Sequence, residues 1–341
     1  FFISTYFSII FNELYMKIVN HMINLTLSTV IKSFRYMIKK ITIASRESSL
    51  AMWQAEFIKS LINEMHPSIK INIEGFKTQG DLLLNESLAT IGGKGLFIKE
   101  LEHALLERKA DLAVHSMKDL PMDIPEEFKL IAISKREDAR DAFVSNEYAA
   151  LKDMPKGAVV GTSSLRRQSQ IKSKYPHLII EPLRGNLQTR LKKLDDGQYG
   201  AIILAAAGLI RLNLKSRIKQ FISPSESIPA VGQGALGIEI LSDNNILTDL
   251  LRPLNDEDTA RCVLAERTVS RSLAGSCTVP LGAFASIIKD NFLIKGFVAK
   301  PDGSEIIHAE KSGSKSDFYK LGEALSETLI AKGAKEILTN E

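Results

Sequence analysis

Two kinds of side chain in this 341-residue sequence could carry chemistry: arginines that follow short apolar runs, and a cysteine in a loop of small residues. Arg46, Arg166, Arg167, Arg184, Arg190 and Arg211 fall at or soon after such runs, close to Ser48, Thr162-Ser163-Ser164 and Gly185-Asn186. A guanidinium offers planar, bidentate donors to carboxylates and phosphates. A helix start with a Ser or Thr cap adds free N–H groups and the positive end of a dipole. Any one of these arginines alone reads equally as a surface cation, but their shared position points to one polyanionic ligand. Gly92-Gly93-Lys94-Gly95 lacks the spacing and the Ser/Thr of a P-loop, and no G-x-G-x-x-G follows the first apolar run, so carboxylates are favoured over nucleotides. Asp119, beside Lys118, is the exception in sign. Its charged form is favoured among cations, and it suits stabilisation of a positive charge developing on a substrate held by its acid groups. His115 reads as a packed strand-end histidine. Cys277 lies in Gly275-Ser276-Cys277-Thr278, where small neighbours leave room for a group on sulfur. A thiolate is a good carbon nucleophile, and a buried, inert cysteine fits the same local pattern. Cys262, inside a helical pattern, reads as inert.

The elements that must position these residues follow from periodicity. ITIA (41–44) reads as a strand, and Leu50 to Met65 carries helical spacing over four turns, stopped by Pro67. INIEGF (71–76) is a second strand, 92–95 a loop, 96–108 a helix and DLAVHS (111–116) a third strand. AVVGTSS (158–164), LIIEPLRGN (178–186) and AIILAAAG (201–208) repeat the grammar of an apolar run followed by a helix. Such runs predict parallel sheets covered on both faces, with ligands at the C-terminal ends of strands. Pro224, Pro229 and VGQG (231–234) mark a crossing or hinge. A helix over 256–273, strands at 281–288, 292–299 and 304–309, and a helix over 316–332 predict a small α+β unit.

Composition is that of a soluble globular protein, 45% hydrophobic and 25% charged, which excludes disordered, collagen-like and coiled-coil chains. The net charge, 44 − 40 = +4, with 7% aromatics, gives no basic stripe for nucleic acid. Two cysteines 15 apart form neither a zinc pattern nor a disulfide scaffold, and predict reduced thiols in the cytoplasm. Residues 1–36 differ from the rest. Their longest charge-free stretch, 18–31, has 14 residues, short of the ~20 a membrane span needs. They are expected to be an upstream extension outside the fold, with a targeting or interfacial segment as the alternative.

Taken together, SRESSLAMWQ (45–54), GGKGLFIKELE (92–102), DLAVHSMKDLP (111–121), REDARDAFVS (136–145), VGTSSLRRQ (160–168), LRGNLQTRL (183–191), LAAAGLIRL (204–212), PAVGQGALGIE (229–239) and GSCTVPLGA (275–283) resemble the porphobilinogen deaminase (hydroxymethylbilane synthase) family, in its order. The resemblance covers nearly all of 38–341. It implies an enzyme, a transferase of tetrapyrrole (haem) biosynthesis, that joins four porphobilinogen molecules head to tail, releases ammonia each time, and hydrolyses the product off as hydroxymethylbilane. It implies a dipyrromethane cofactor on Cys277 through a thioether, and catalysis by Asp119 with Lys118. Cofactor contacts match Ser48, Lys118, Asp119, Thr162, Ser163, Ser164, Arg166, Arg167, Arg184, Gly185 and Asn186. Substrate contacts match Arg46, Ser48, Gln54, Arg184, Arg190, Arg211 and Gln233. The implied fold is α/β with three domains. Two are periplasmic-binding-protein-like with mixed sheets (37–134 plus 235–252, and 135–234). The third is a small α+β domain (253–341). No metal, membrane or nucleic-acid partner is implied, and a monomer is expected. Many bacterial members carry Lys at the position of Thr90, and the residue before the cysteine is usually Gly where Ser276 stands. A solute-binding protein is the competing reading; it predicts a secretory signal and leaves Cys277 without a role.

Overall fold

The computed structural model of the protein describes residues 38–82, 97–273 and 279–339. Strand β1 (Lys40–Arg46) is buried along Ile41–Ser45, on both faces. A strand covered on both sides needs a helix to cross back over it. Helix α1 (Ser49–Met65) does this. The Ser48 hydroxyl accepts from the Ala51 N–H (3.4 Å) at its start. Ala55, Ile58 and Ile62 form its buried face, one helical turn apart, against Ile41, Ile43 and Ile71. Strand β2 (Lys70–Phe76) then pairs with β1 in parallel. The first sheet runs β2-β1-β3-β10-β4, with β3 at Leu112–Ser116, β4 at Phe128–Ile133 and β10 at Leu236–Leu241.

The second sheet repeats this plan. Its order is β7-β6-β8-β5-β9, from β5 (Asp141–Val144), β6 (Val159–Gly161), β7 (Ile179–Glu181), β8 (Ala201–Ala205) and β9 (Gln220–Ile222). In both five-stranded sheets four strands run the same way and one is antiparallel to both its neighbours: β10 in the first, β5 in the second. The expectation of parallel sheets is therefore corrected to mixed ones, as the family resemblance implied. Each antiparallel strand is the one that arrives from the other sheet, so its direction is set by the crossing and not by a covering helix. The two crossings run side by side, through Glu137 N–H to Gly234 O (3.0 Å) and Ser134 N–H to Leu236 O (2.9 Å). Gly234 has φ +91°, and a Cβ there would collide with the Glu137 carbonyl. Only glycine serves at that point.

The third sheet, β11 (Leu281–Ile288), β12 (Asn291–Ala299) and β13 (Ile306–Ser314), is antiparallel throughout. Ala283, Phe292, Ile294 and Val298 pack against Ala265 and Val269 of one helix (Glu257–Ser272) and Leu325 and Leu329 of another (Phe318–Ala331). Within this unit Glu266 is fully buried, and three of its four hydrogen bonds reach outside the unit. It accepts from Arg136 (2.6 and 3.1 Å) and from the Gly232 N–H (2.8 Å) on the crossings, and from Ala285 N–H (2.8 Å) on β11. One carboxylate thus ties the C-terminal unit to both connections. The expected helix over 96–108 begins at Lys99, and the strand expected at 304–309 runs over Ile306–Ser314. The expectations for residues 1–36, Gly92–Gly95, Thr90, Ser276 and Cys277 lie outside the described residues.

Candidate active site

Past the end of β3 the chain turns through Asp119 N–H to Ser116 O (2.9 Å). Met117 is fully buried, and its N–H donates to Ala235 O (3.0 Å), so this turn is nailed to the crossing. A Cβ on Gly232 (φ +69°) would approach Met117 Cβ to 2.8 Å. Lys118 is left half-buried and Asp119 exposed to solvent.

The second sheet supplies arginines, and they divide into two kinds. Arg166 and Arg167 open helix α4 (Leu165–Lys174) yet are 5% and 6% exposed, because both turn inward onto Asp141. Arg166 donates to both carboxylate oxygens (2.8 and 2.9 Å) and to Ile228 O (2.6 Å). Arg167 donates twice to Asp141 Oδ1 (3.0 and 2.8 Å) and to Ile203 O (3.0 Å). Ser227 (3.1 Å) and Gln233 (3.1 Å) complete the shell. Burial alone would raise the Asp141 pKa; the two guanidiniums override it and hold the carboxyl well below the usual range.

Arg184 and Arg190 form the other kind. Arg190 donates through Nε to Gly185 O (2.7 Å), leaving its two terminal amino groups unspent among the described residues. Burial, then the like charges of Arg167 and Arg184, push its pKa down to about 10, while Asp119 pulls it back. The Lys118 pKa is lowered too, by burial first, with Arg167 and Arg166 adding to it and Asp119 and Asp141 opposing. Across the gap between sheets, Lys118 therefore feels Arg166 and Arg167, and Arg190 feels Asp119, while Arg184 acts on Arg190 from the same side. Five cations face two carboxylates there, and one carboxylate is already consumed by two of the arginines.

Other expected site residues are placed differently. Arg46 is ion-paired with Asp81 and lies 4.2 Å from the Phe97 ring centre. Arg211 is buried, donates to Gly234 O (2.6 Å) and sits 5.7 Å from the Trp53 ring centre; burial takes its pKa down to about 10. Gln233 is 1% exposed and spends its amide on Ala139 O (2.7 Å) and Asp141. Gln54 donates to Ser116 Oγ (3.0 Å). Thr162 is buried and accepts from Ser164 N–H (3.2 Å), Ser163 donates to Leu183 O (2.9 Å), and Asn186 caps the helix Leu187–Asp195 through Thr189 N–H (2.9 Å) after Gly185 at φ +115°. Ser164 stands at the start of α4, and its hydroxyl makes no cap bond there. His115 is a packed strand-end residue as expected, 2.9 Å from the buried Glu239. Cys262 is buried, and burial pushes its thiol up to about 12. Asp141, Asp81, Glu239 and Glu266 carry no local sequence motif that marks them as site residues, yet they hold its walls. Asp141 lay within the REDARDAFVS segment, where its place at the start of an all-apolar strand (Asp-Ala-Phe-Val) was the available signal.

An excess of desolvated cations around one exposed acid suits a ligand carrying carboxylate groups. A family model described as porphobilinogen deaminase, dipyromethane cofactor binding domain, matches residues 41–249, and one described as porphobilinogen deaminase, C-terminal domain, matches 260–331. The chain belongs to the porphobilinogen deaminase family. It is 60% identical over 298 residues to the porphobilinogen deaminase of Thiobacillus denitrificans, covering 87% of this chain and 97% of that one. It is 54% identical over 300 residues to that of Laribacter hongkongensis, covering 88% and 97%. Among solved structures, a putative methionine-binding lipoprotein from Bacillus subtilis is similar at TM-score 0.39 and 14% identity, over 65% of this chain and 92% of that one. The mixed sheets stand on their own strand order. The cofactor-binding family model spans every described cation of the cleft, and the cofactor's acid side chains fit the charge excess found there. Among the described residues no helix is long and apolar enough to cross a membrane, and no His/Cys/Asp/Glu group could hold a metal ion.

Proposed function

We propose that the chain condenses four porphobilinogen molecules head to tail on a dipyrromethane held by Cys277, with loss of ammonia at each step, and then hydrolyses off hydroxymethylbilane. The observation that carries this reading is the convergence of Lys118 and Asp119 with Arg184 and Arg190 across the two sheets. When bound, the dipyrromethane supplies the pyrrole carbon to which the first substrate unit is joined. Arg184 and Arg190, with the Ser164 hydroxyl, bind acetate and propionate groups. Arg166 and Arg167, locked by Asp141, keep the wall positive without swinging into the cleft. As the aminomethyl C–N bond breaks and nitrogen leaves as ammonia, positive charge develops on the substrate. Asp119 stabilises it, and a preorganised charge is most effective where burial limits water. Lys118, beside Asp119, contributes a cation for acid groups. Arg46, Arg211, Gln54 and Gln233 act by fixing the walls through the partners described above.

The same reading divides the chain into units 37–134 plus 235–252, 135–234 and 253–341, and takes the protein to be a cytoplasmic monomer. Intact mass tests the core of it. The purified, active protein should exceed its polypeptide mass by two pyrrole units, and Cys277→Ser should lack them. An active enzyme with bare polypeptide mass would sink the proposal, as would an adduct that survives Cys277→Ser.

A further inference from the structure

A cleft of about 590 Å³ lies away from Lys118 and Asp119, between α4 with segment 224–228 on one side and β12, β13 and the helix Phe318–Ala331 on the other. Its volume falls in the range of small-molecule sites. The charges lining it are unequally satisfied. Glu310 is paired with Lys295 (3.1 Å). Glu226 accepts from the Tyr175 hydroxyl (2.8 Å). Lys174 and Lys332 line the same cleft, and among the described residues neither is ion-paired to a carboxylate. Among the described residues the Lys332 ammonium donates only to the His308 carbonyl (2.8 Å). His308 lines the cleft with these two lysines, exposed to solvent and with its ring against Phe297 (5.7 Å between ring centres). Its pKa is lowered by desolvation and then by the fields of Lys174 and Lys332, in keeping with the cleft lining the three residues share.

We propose that this cleft is a second anion site, in which Lys174, Lys332 and His308 bind a small molecule carrying two or more phosphate or carboxylate groups between the second sheet and the C-terminal unit. The occupant would press on Gln170 and Ile228, which also line the cleft. Ile228 donates to Gln170 Oε1 (2.7 Å), and its carbonyl accepts from Arg166 (2.6 Å). The site therefore abuts the clamp on Asp141 without sharing a residue with the catalytic cleft.

The test uses the cofactor-loaded enzyme at low salt, where charge attraction is least screened. Inorganic pyrophosphate and citrate are titrated separately while His308 is followed by NMR over pH. An anion beside the two lysines offsets their field, so the His308 pKa should rise by about half a unit. Lys174→Ala/Lys332→Ala should shrink that rise and move it to anion concentrations at least tenfold higher, the scale of losing a hydrogen bond to a charged group. Its turnover without added anion should stay at the wild-type value. A stronger response to pyrophosphate marks a phosphate ligand, and a stronger response to citrate a polycarboxylate. Lys172→Ala, on the same helix, controls for general loss of charge and should change nothing. The proposal is overturned if neither anion moves the His308 titration, or if the double variant responds as the wild type does.

Discussion

Asp141→Asn removes one charge and almost no volume, from a position with no solvent exposure. The native carboxylate accepts six hydrogen bonds: two each from Arg166 and Arg167, one from Ser227 and one from Gln233. An amide keeps one acceptor oxygen and turns an NH2 group toward guanidinium donors. Two arginines that are 5% and 6% exposed are then left without a counter-charge. Breaking a buried pair by removing one partner costs about 3–5 kcal/mol. Arg167 remains bonded to Ile203 O and Arg166 to Ile228 O, which keeps the expected loss near the lower end, about 3 kcal/mol. The loss should be local, in the second sheet and the crossing, because Ser227 and Gln233 share the network. Urea unfolding followed by circular dichroism, with hydrogen exchange of β5 and α4, measures both size and place. The pH dependence is a further check. The Asp141 pKa is depressed below the ordinary aspartate value of 3.8, so its stabilisation is fully present above that value and is lost as pH falls through the folded-state pKa. The gap between wild type and Asp141→Asn should be flat from about pH 5 to 8 and narrow below about pH 4. A loss under about 1 kcal/mol, or a gap that changes between pH 6 and 8, would refute the clamp as the reason these arginines are buried.

Three further outcomes follow from the same geometry. Asp119→Ala alters an exposed side chain, so unfolding should shift by no more than about 0.5 kcal/mol, while turnover falls about 10²–10³-fold; near-normal turnover would remove Asp119 from its role. Gly234→Ala places a Cβ against the Glu137 carbonyl at φ +91° and should cost more than about 1 kcal/mol, read as a lower urea midpoint; an unchanged midpoint would show that the crossing relaxes freely. Glu266→Gln strips the charge that Arg136 binds from both sides, so hydrogen exchange should quicken in 281–288 and 229–234; unchanged protection would mean that apolar packing alone holds the C-terminal unit.

The sequence by itself determined the chemistry and most of the local structure. Cations at the ends of apolar runs, one acid beside Lys118 and a cysteine among small residues follow from residue type and spacing. The helix Ser49–Met65 was visible because its apolar residues recur every three or four positions. Strands β4, β5, β9 and β10 were not singled out, because a short apolar run has no period that separates it from a buried helix segment. Strand direction was also hidden: nothing inside LGIEIL says that it runs against β3, since only the crossing that delivers it decides that. Tertiary structure likewise decided which arginines face a ligand. Arg166 and Arg190 look alike in sequence, but Asp141, 25 residues before Arg166 in the chain, captures the first, and no carboxylate within bonding distance captures the second among the described residues. Long-range pairing of charges depends on which elements the fold brings together, and that information lies between segments, not within any one of them.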